Sequence, residues 1–228
     1  MQSVSVLIPA YNEEATLAAL FEQARQVLEK IHADYEFILC DDASKDSTKE
    51  IIKGLIASSP KSKAIFHERN QGIFITFEEL YQAATKEFVI LFPGDGQWSP
   101  ELLPLALEKV ANGDDVVVAA RRDKQYTLFR KINSWFFNKL VVILYGVDLY
   151  DIGAVKLVRR RILNDIKVDT SSAFSEAERL LKAHKAGYKI GVIWVDHQER
   201  KQGQARGARM SYIIQAFKDL VLFRFRYK

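Results

Sequence analysis

Short runs of apolar, β-branched residues alternate along this chain with stretches whose apolar residues recur every three or four positions. The first run, Ser3 to Pro9, predicts a strand. Leu17, Leu20, Phe21, Ala24, Val27, Leu28 and Ile31 then keep helical spacing, which predicts an amphipathic helix over 13–31 with Asn12 as its N-cap. Glu36 to Cys40 reads as a second strand that runs directly into Asp41-Asp42, and Asp46 or Ser47 caps the helix carrying Ile51, Ile52, Leu55 and Ile56. Lys63 to Phe66 is a short strand, and Phe74, Phe77, Leu80, Tyr81 and Ala84 mark a third helix. Glu87 to Phe92 is a strand ending at Pro93-Gly-Asp-Gly96, followed by a helix from Pro100 to Ala111 and the strand Asp115 to Ala119.

The second half is less regular. Residues 127–145 form a helix rich in aromatics, Asp148 to Val158 is a loop entering a short strand, Ser175 to Ala186 is a helix and Tyr188 to Val195 a strand. Arg200 to Arg209 is a loop rich in Gly, Gln and Arg, and 210–225 closes the chain as a helix. A β-α-β-α order of this kind predicts a mostly parallel central sheet with helices on both faces, a Rossmann-like three-layer sandwich. Ligands in such sheets bind beyond the carboxyl ends of the strands. Those ends carry the polar clusters here: Ala10 to Glu14, Asp41 to Asp46, and Gly94 to Gln97.

With 228 residues, 48% hydrophobic and 27% charged, the chain can bury one large α/β core. A net charge of +4 is too mild to imply a nucleic-acid partner, and none is expected. Its distribution is more telling. From Arg200 to Lys228 there are eight Lys and Arg against Asp219 alone, and from Arg121 to Lys139 six against Asp123. Acids crowd the first half, which suits an acidic metal-diphosphate side facing a basic, anion-binding side; solvated basic faces would look the same. The single cysteine, Cys40, excludes a disulfide framework, fits a reducing compartment and sits in an apolar run as a buried strand residue. No signal peptide is visible, since Ser3 to Pro9 reads as a strand with no basic stretch before it, and no apolar run is long enough to span a membrane. The expected location is cytoplasmic, or peripheral on the inner face of the membrane.

Several chemistries are missing. There is no Gly-x-Gly-x-x-Gly after the first strand, no P-loop and no Gly-x-Ser-x-Gly elbow. His32, His67, His184 and His197 show no metal-ligand spacing, so zinc is not expected. What remains is acids at strand ends. Asp95 with Gln97 offers the carboxylate and amide oxygens that a hard divalent cation takes alongside phosphate oxygens, and Gly94 and Gly96 let backbone approach a ligand closely. An ordinary tight turn would carry the same Gly-Asp-Gly.

Three motifs in order, Val6-Leu-Ile-Pro-Ala-Tyr-Asn-Glu13, Cys40-Asp-Asp-Ala-Ser-Lys-Asp-Ser-Thr48 and Gly94-Asp-Gly-Gln-Trp-Ser-Pro-Glu101, resemble the opening of the inverting family 2 glycosyltransferases, whose fold is called GT-A. The resemblance implies a donor site in which Pro9, Tyr11 and Glu13 line the nucleoside pocket, Asp42 contacts the nucleoside and Asp41 shapes the same pocket. It implies Asp95 as the metal-linked Asp, Gln97 as a further ligand, and Mg²⁺ or Mn²⁺ as cofactor. The usual pattern is Asp-x-Asp-x-Gln, and Pro93 stands where the first Asp belongs, so one carboxylate is lost. Phe74 and Phe77 stand where such enzymes often carry small residues.

The second half is similar to a narrower group, the polyprenyl-phosphate glycosyltransferases. Ala119-Ala-Arg121, Phe129-Arg-Lys-Ile-Asn-Ser134, Tyr150-Asp-Ile-Gly153, Phe174-Ser-Glu176 and Glu199-Arg-Lys-Gln-Gly203 fall in the group's order. That similarity implies transfer of a sugar from a UDP- or GDP-sugar to a lipid phosphate, with Arg121, Arg130 and Arg200 holding the acceptor phosphate. A lipid phosphate is already anionic and needs no general base. For a hydroxyl acceptor, Glu176 or Glu178 would be the base, ahead of Asp151. A hydroxyl acceptor and a non-catalytic nucleotide-binding relative stay open as alternatives, the latter because of Pro93. The expected division is 1–209 as the transferase domain (1–120 for the donor, 121–209 for the acceptor) and 210–228 as an amphipathic basic helix. Aromatic and basic residues in 210–228 fit an interfacial helix at an anionic bilayer as well as a core helix with a basic tail. The aromatic helix before it fits core, acceptor-lipid contact or a homodimer surface.

Overall fold

A computed structural model describes residues 2–123, 128–196 and 210–227. Seven strands and eight helices follow in the order β1 (Ser3–Ala10), α1 (Leu17–Lys30), β2 (Asp34–Asp41), α2 (Thr48–Ser58), β3 (Ser62–Phe66), α3 (Ile73–Ala83), β4 (Phe88–Leu91), α4 (Leu102–Ala111), β5 (Val116–Arg121), α5 (Leu128–Tyr145), β6 (Lys156–Arg159), α6 (Arg160–Asp165), α7 (Ser175–Lys185), β7 (Ile190–Val195) and α8 (Met210–Arg226). The strands make one sheet in the order β3-β2-β1-β4-β6-β5-β7. Four of the strand pairings are parallel, and β6 runs antiparallel to both β4 and β5. The chain winds outward from β1 in one direction through β2 and β3, then returns to β4 on the other side. The crevice of an open α/β sheet lies at such a reversal, beyond the carboxyl ends of the strands.

Both faces of the central strands are covered, as their near-continuous apolar runs require. In β1, Val4, Val6 and Ile8 point into one core and Leu7 into another; in β2, Phe37 and Leu39 oppose Ile38 and Cys40; in β4, Phe88 and Ile90 oppose Val89 and Leu91. Period-two alternation sends successive side chains to opposite sides. The larger core meets α1 through Leu17, Phe21 and Leu28 and α4 through Leu103 and Leu107, and the smaller one meets α3 through Leu80 and Tyr81. The three-layer α/β expectation is therefore what the chain builds.

Several local expectations are corrected. Asn12 does not cap α1: the helix starts four residues later at Leu17, with Thr16 before it, and Asn12 turns left-handed at φ 55° to join a neighbouring loop. A short helix, α6, follows β6 directly and has no counterpart in the sequence reading, because six residues are too few for a 3.6-residue period to stand out.

α5 and α8 pack on one another. Tyr145 donates its hydroxyl to the Leu220 carbonyl at 2.5 Å, and the rings of Phe137 and Phe217 meet edge-on at 5.2 Å. The inner side of α8, Ala216, Leu220 and Phe223, belongs to the main core. Its other side leaves Ile214, Leu222 and Phe225 exposed, and α5 likewise exposes Leu128, Trp135, Phe136 and Ile143. Among the described residues no helix is long and apolar enough to cross a membrane.

Phe223 is 5% exposed and its ring touches those of Phe174, Tyr145 and Tyr227, whereas Phe225 is 74% exposed. Phe223→Ala should lower the unfolding free energy by about 3–5 kcal/mol in urea titrations, and Phe225→Ala should stay within about 0.5 kcal/mol of the parent.

Candidate active site at the carboxyl ends of β1, β2 and β4

The loops leaving β1 and β2 are sewn together by their own polar residues. Asn12 donates its N–H to Ser44 Oγ (2.9 Å) and accepts the Lys45 N–H on Oδ1 (2.7 Å); the Glu13 N–H goes to Thr48 Oγ1 (2.8 Å), and the Ser47 N–H to Glu14 (2.9 Å). Asp46 accepts the Thr48 and Glu14 N–H groups. Burial alone would raise its carboxyl, and these hydrogen bonds hold it below the usual carboxylate range. Two non-glycine residues, Asn12 (φ 55°) and Ala43 (φ 59°), are left-handed, so the paired loops carry local strain at a strand-end position. Tyr11, Asn12 and Glu13 remain half-buried on this rim.

The two adjacent aspartates behave differently. Asp42, 4% exposed, is saturated: Oδ1 accepts from His67 Nδ1 and the Gln71 N–H (both 2.7 Å), Oδ2 accepts from the Gly72 N–H (2.9 Å), and its carbonyl takes the Asn70 side-chain amide. It organises the turn that leads into α3. Asp41 is fully buried, takes the Ser44 N–H on Oδ1 (3.1 Å), and its Oδ2 has no hydrogen-bond partner. A buried carboxylate oxygen left without a donor is costly unless a ligand supplies one. Asp42 thus spends its oxygens on the protein, whereas Asp41 keeps one acceptor oxygen without a protein donor.

The turn after β4 closes against the β1 loop. The Gly94 N–H donates to the Pro9 carbonyl (3.2 Å), and Thr16 Oγ1 donates to the Gly94 carbonyl (2.6 Å). Pro9 has no N–H of its own, so its contribution is that carbonyl. A Cβ at Gly94 would lie 3.1 Å from Pro9 O and 3.4 Å from Glu13 Cγ, so a larger residue would push the β1 loop back by a few tenths of an ångström. The turn is tightened by the Gln97 N–H on Asp95 Oδ1 (3.1 Å), and Asp95 and Gln97 stay half-buried on the same rim as Glu13. One carboxylate and one amide oxygen form a donor set that fits a hard divalent cation also held by phosphate oxygens, as Mg²⁺ usually is.

The turn also reaches the second half. Trp98, buried beside it, lies under the Arg121 guanidinium at 5.2 Å. Arg121, from the end of β5, grips Asp151 in a two-pronged pair, Nε to Oδ2 at 2.7 Å and Nη2 to Oδ1 at 2.9 Å, with each side chain only 4% exposed. Sequence reading expects Arg121 to hold acceptor phosphate and ranks Asp151 last among candidate bases; in the structure the two are paired with each other. Glu176 sits among Lys156 Nζ (3.3 Å), Arg179 Nε (3.7 Å) and the Tyr81 hydroxyl. Burial would raise its carboxyl, but the two cations outweigh burial and hold it low. Glu178 is fully buried and accepts the Asp169 and Thr170 N–H groups, so it anchors a loop. The backbone of Arg130 lies in α5 with its side chain outside the described residues, and Arg200 is outside them altogether. Sequence reading missed His67, whose signal lay in the polar run His67 to Gly72 after β3, the one strand end to which no role was given.

An open, mostly parallel sheet with acidic loops gathered beyond β1, β2 and β4 defines the class: a GT-A glycosyltransferase fold. The sequence profile described as Glycosyl transferase family 2 matches residues 5–167, and the chain belongs to that family. It is 32% identical over 221 residues to an undecaprenyl-phosphate 4-deoxy-4-formamido-L-arabinose transferase from Aeromonas hydrophila subsp. hydrophila, covering 96% of this chain and 66% of the relative. It is 34% identical over 210 residues to the protein of the same name from Pectobacterium atrosepticum, covering 90% of this chain and 63% of the relative. The chain thus spans somewhat less than two thirds of the length of these relatives. Among solved structures, glucosyl-3-phosphoglycerate synthase from Mycobacterium tuberculosis, in complex with Mn²⁺, UDP and phosphoglyceric acid, superposes with a TM-score of 0.76 at 17% identity, covering 98% of this chain and 78% of that one. The same enzyme with Mg²⁺ and UDP gives 0.75 at 16% identity, covering 98% and 79%.

His67 bridges two carboxylates, Asp42 on Nδ1 (2.7 Å) and Glu79 on Nε2 (2.6 Å). Burial works against its charged form, but the two acids outweigh burial and raise its pKa above the ordinary 6.5. A raised histidine gives stability that is complete below the unfolded-state value and lost as pH climbs through the folded-state value. In chelator-treated protein, urea titrations from about pH 6 to about pH 9 should therefore show wild type losing stability with rising pH relative to His67→Gln. Parallel pH profiles for the two proteins would contradict the charged bridge.

Proposed function

We propose that this chain is the catalytic domain of an inverting transferase that moves a sugar from a UDP- or GDP-sugar to a polyprenyl phosphate. The observation that carries the donor half is the buried Asp41 Oδ2 without a partner, on a residue whose other oxygen accepts the Ser44 N–H of the loop after β2. A nucleobase N–H is a donor of the kind that oxygen lacks. Tyr11 and Glu13 on the rim would flank the base and ribose, and Asp95 with Gln97 would hold the divalent ion. When bound, that ion, Mg²⁺ or Mn²⁺, neutralises charge on the departing diphosphate. The UDP, Mn²⁺ and Mg²⁺ in the complexes of the structural neighbour support this reading, as does the undecaprenyl phosphate in the relatives' names.

The chemistry asks little proton traffic of the protein. An oxygen of the lipid phosphate attacks the anomeric carbon from the face opposite the leaving group. The bond from that carbon to the diphosphate oxygen breaks, and its electron pair leaves with the nucleoside diphosphate. The nucleophile is already an anion, so no side chain needs to remove a proton. The acids of the second half accord with this: Glu176, Glu178 and Asp151 are each bound to cations or amides in the protein. The exposed apolar residues of α5 and α8, flanked by exposed Lys131, Lys139, Lys218, Arg224 and Arg226, give a surface suited to an anionic bilayer, where such an acceptor resides.

Thermal-shift titrations with UDP, GDP and CDP, each with and without Mn²⁺, test the donor site. One of the first two should raise the melting temperature, and Asp41→Asn should weaken its binding at least about tenfold, by the 1.4 kcal/mol that a single buried hydrogen bond is worth. Sugar transfer, followed as product extracted into organic solvent, should fall on the order of 10²-fold to 10³-fold in Asp95→Ala. If no nucleotide stabilises the protein, the donor site is wrong, and if transfer goes only to a water-soluble product, the acceptor is a hydroxyl.

Flotation with vesicles tests the surface. Binding to vesicles containing anionic lipid should exceed binding to neutral ones, weaken with salt, and drop severalfold when Trp135 and Phe225 are both replaced by Ser. Equal recovery with both vesicle types would remove the electrostatic part of the reading.

A further inference from the structure

Behind the donor site, on the α3 face of the sheet, three side chains with metal-binding atoms converge. Cys40 lies next to the end of β2, His67 is the residue after β3, and Glu79 is in α3. The cysteine sulfur, a ring nitrogen of His67 and a Glu79 oxygen all lie within 4.8 Å of one another. Cys40 Sγ is 3.5 Å from His67 Nε2, which is 2.6 Å from Glu79 Oε2. Cys40 and His67 are buried, whereas the Glu79 side chain is 36% exposed and gives the cluster its opening to solvent. The other ring nitrogen, Nδ1, is fixed by Asp42 at 2.7 Å, so Nε2 is the atom turned to the sulfur and to Glu79. A carboxylate behind a histidine in this way orients the ring and raises its basicity as a ligand.

We propose that Cys40, His67 and Glu79 form a second cation site, separate from the Asp95 turn, which takes a borderline transition ion of the Zn²⁺ type with water in the fourth position. One sulfur, one imidazole nitrogen and one carboxylate oxygen form a ligand set that suits Zn²⁺ or Co²⁺ and not Mg²⁺, which prefers oxygen ligands throughout. Bonds of about 2.0–2.3 Å to a tetrahedral ion place its ligands about 3.3–3.7 Å apart. The sulfur-to-nitrogen separation already has that value. The nitrogen-to-oxygen separation is shorter because a proton bridges it, and Glu79, on a half-exposed side chain, can withdraw by a change of rotamer.

Charge favours the exchange. Without the ion, the two carboxylates favour a proton on each nitrogen of His67, and burial favours the Cys40 thiol, its pKa pushed up to about 12. Loading places two positive charges in the cluster and expels two protons to solvent, one from Nε2 and one from Sγ. The Nδ1 proton stays on the Asp42 side. The net charge of this largely buried group is the same before and after, so the ion enters without a new uncompensated charge. Binding should accordingly tighten with pH, by up to about 100-fold per unit while both protons are present.

Co²⁺ is the probe. Titrated into the full chain freed of metal, it should bind with visible ligand-field bands and a near-ultraviolet sulfur-to-cobalt charge-transfer band, and Zn²⁺ should erase both at one equivalent. Cys40→Ser should abolish the charge-transfer band and weaken binding at least about 100-fold, and Glu79→Gln should weaken it about tenfold. Asp95→Ala should leave the band intact, which separates this site from the donor-site cation. Melting of each variant without metal checks that it is folded. A cobalt spectrum lacking the sulfur band in wild type, equal affinity in Cys40→Ser, or loss of the band in Asp95→Ala would each overturn the assignment.

Discussion

The buried carboxylate of Asp42 is the interaction on which the site depends. A desolvated carboxylate is tolerated only when donors surround it, and here His67, Gln71 and Gly72 all converge on its two oxygens. By meeting that demand the protein fixes the turn between β3 and α3, aims the His67 ring, and ties α3 to the loop after β2. The neighbouring Asp41 keeps one oxygen unspent, while the loop around it is held by hydrogen bonds to Asn12, Glu13 and Glu14. One aspartate is spent on the turn, and its neighbour keeps an oxygen without a protein donor.

A second buried pair joins the two halves of the molecule. Arg121 ends β5, Asp151 lies in the segment before β6, and Trp98 comes from the turn that carries Asp95. A buried ion pair of this kind adds little net stability over an apolar replacement, but loss of one partner strands a charge and costs about 3–5 kcal/mol. Its value lies in geometry: the two prongs and the neighbouring ring set the distance between the Asp95 turn and the second half. Gly153 fits this arrangement, since a Cβ there would meet Arg121 Nη2 at 3.3 Å.

The remaining buried charges point the same way. Glu176 faces Lys156, Arg179 and the Tyr81 hydroxyl, and Arg179 pairs in addition with Glu78. Such a group provides a fixed field and not a proton acceptor, which agrees with an acceptor that arrives as an anion. α5 and α8 show the complementary compromise. One side of each helix packs to satisfy the core, and the other keeps large apolar residues in solvent with basic residues around them, an arrangement that water alone does not favour.

Much of this was legible in the sequence. Strand and helix periods of 2 and 3.6 residues arise from local backbone geometry, so the order of elements and the strand ends carrying Asn12 to Glu14, Asp41-Asp42 and Gly94 to Gln97 could be read directly. The family resemblance rested on those same contiguous motifs, and membership of glycosyl transferase family 2 agrees with it. What the sequence could not display were partnerships between residues far apart in the chain: Arg121 with Asp151, Glu176 with Lys156, and above all Cys40 with His67 and Glu79, which no ligand spacing announces. Those pairings follow from sheet order, which places β2 beside β3, sends α3 across them, and inserts β6 antiparallel between β4 and β5. Local sterics determined the pieces and which ends would carry acids; only long-range packing and the need to satisfy buried charge decided which acid is spent on structure and which keeps an oxygen without a protein donor.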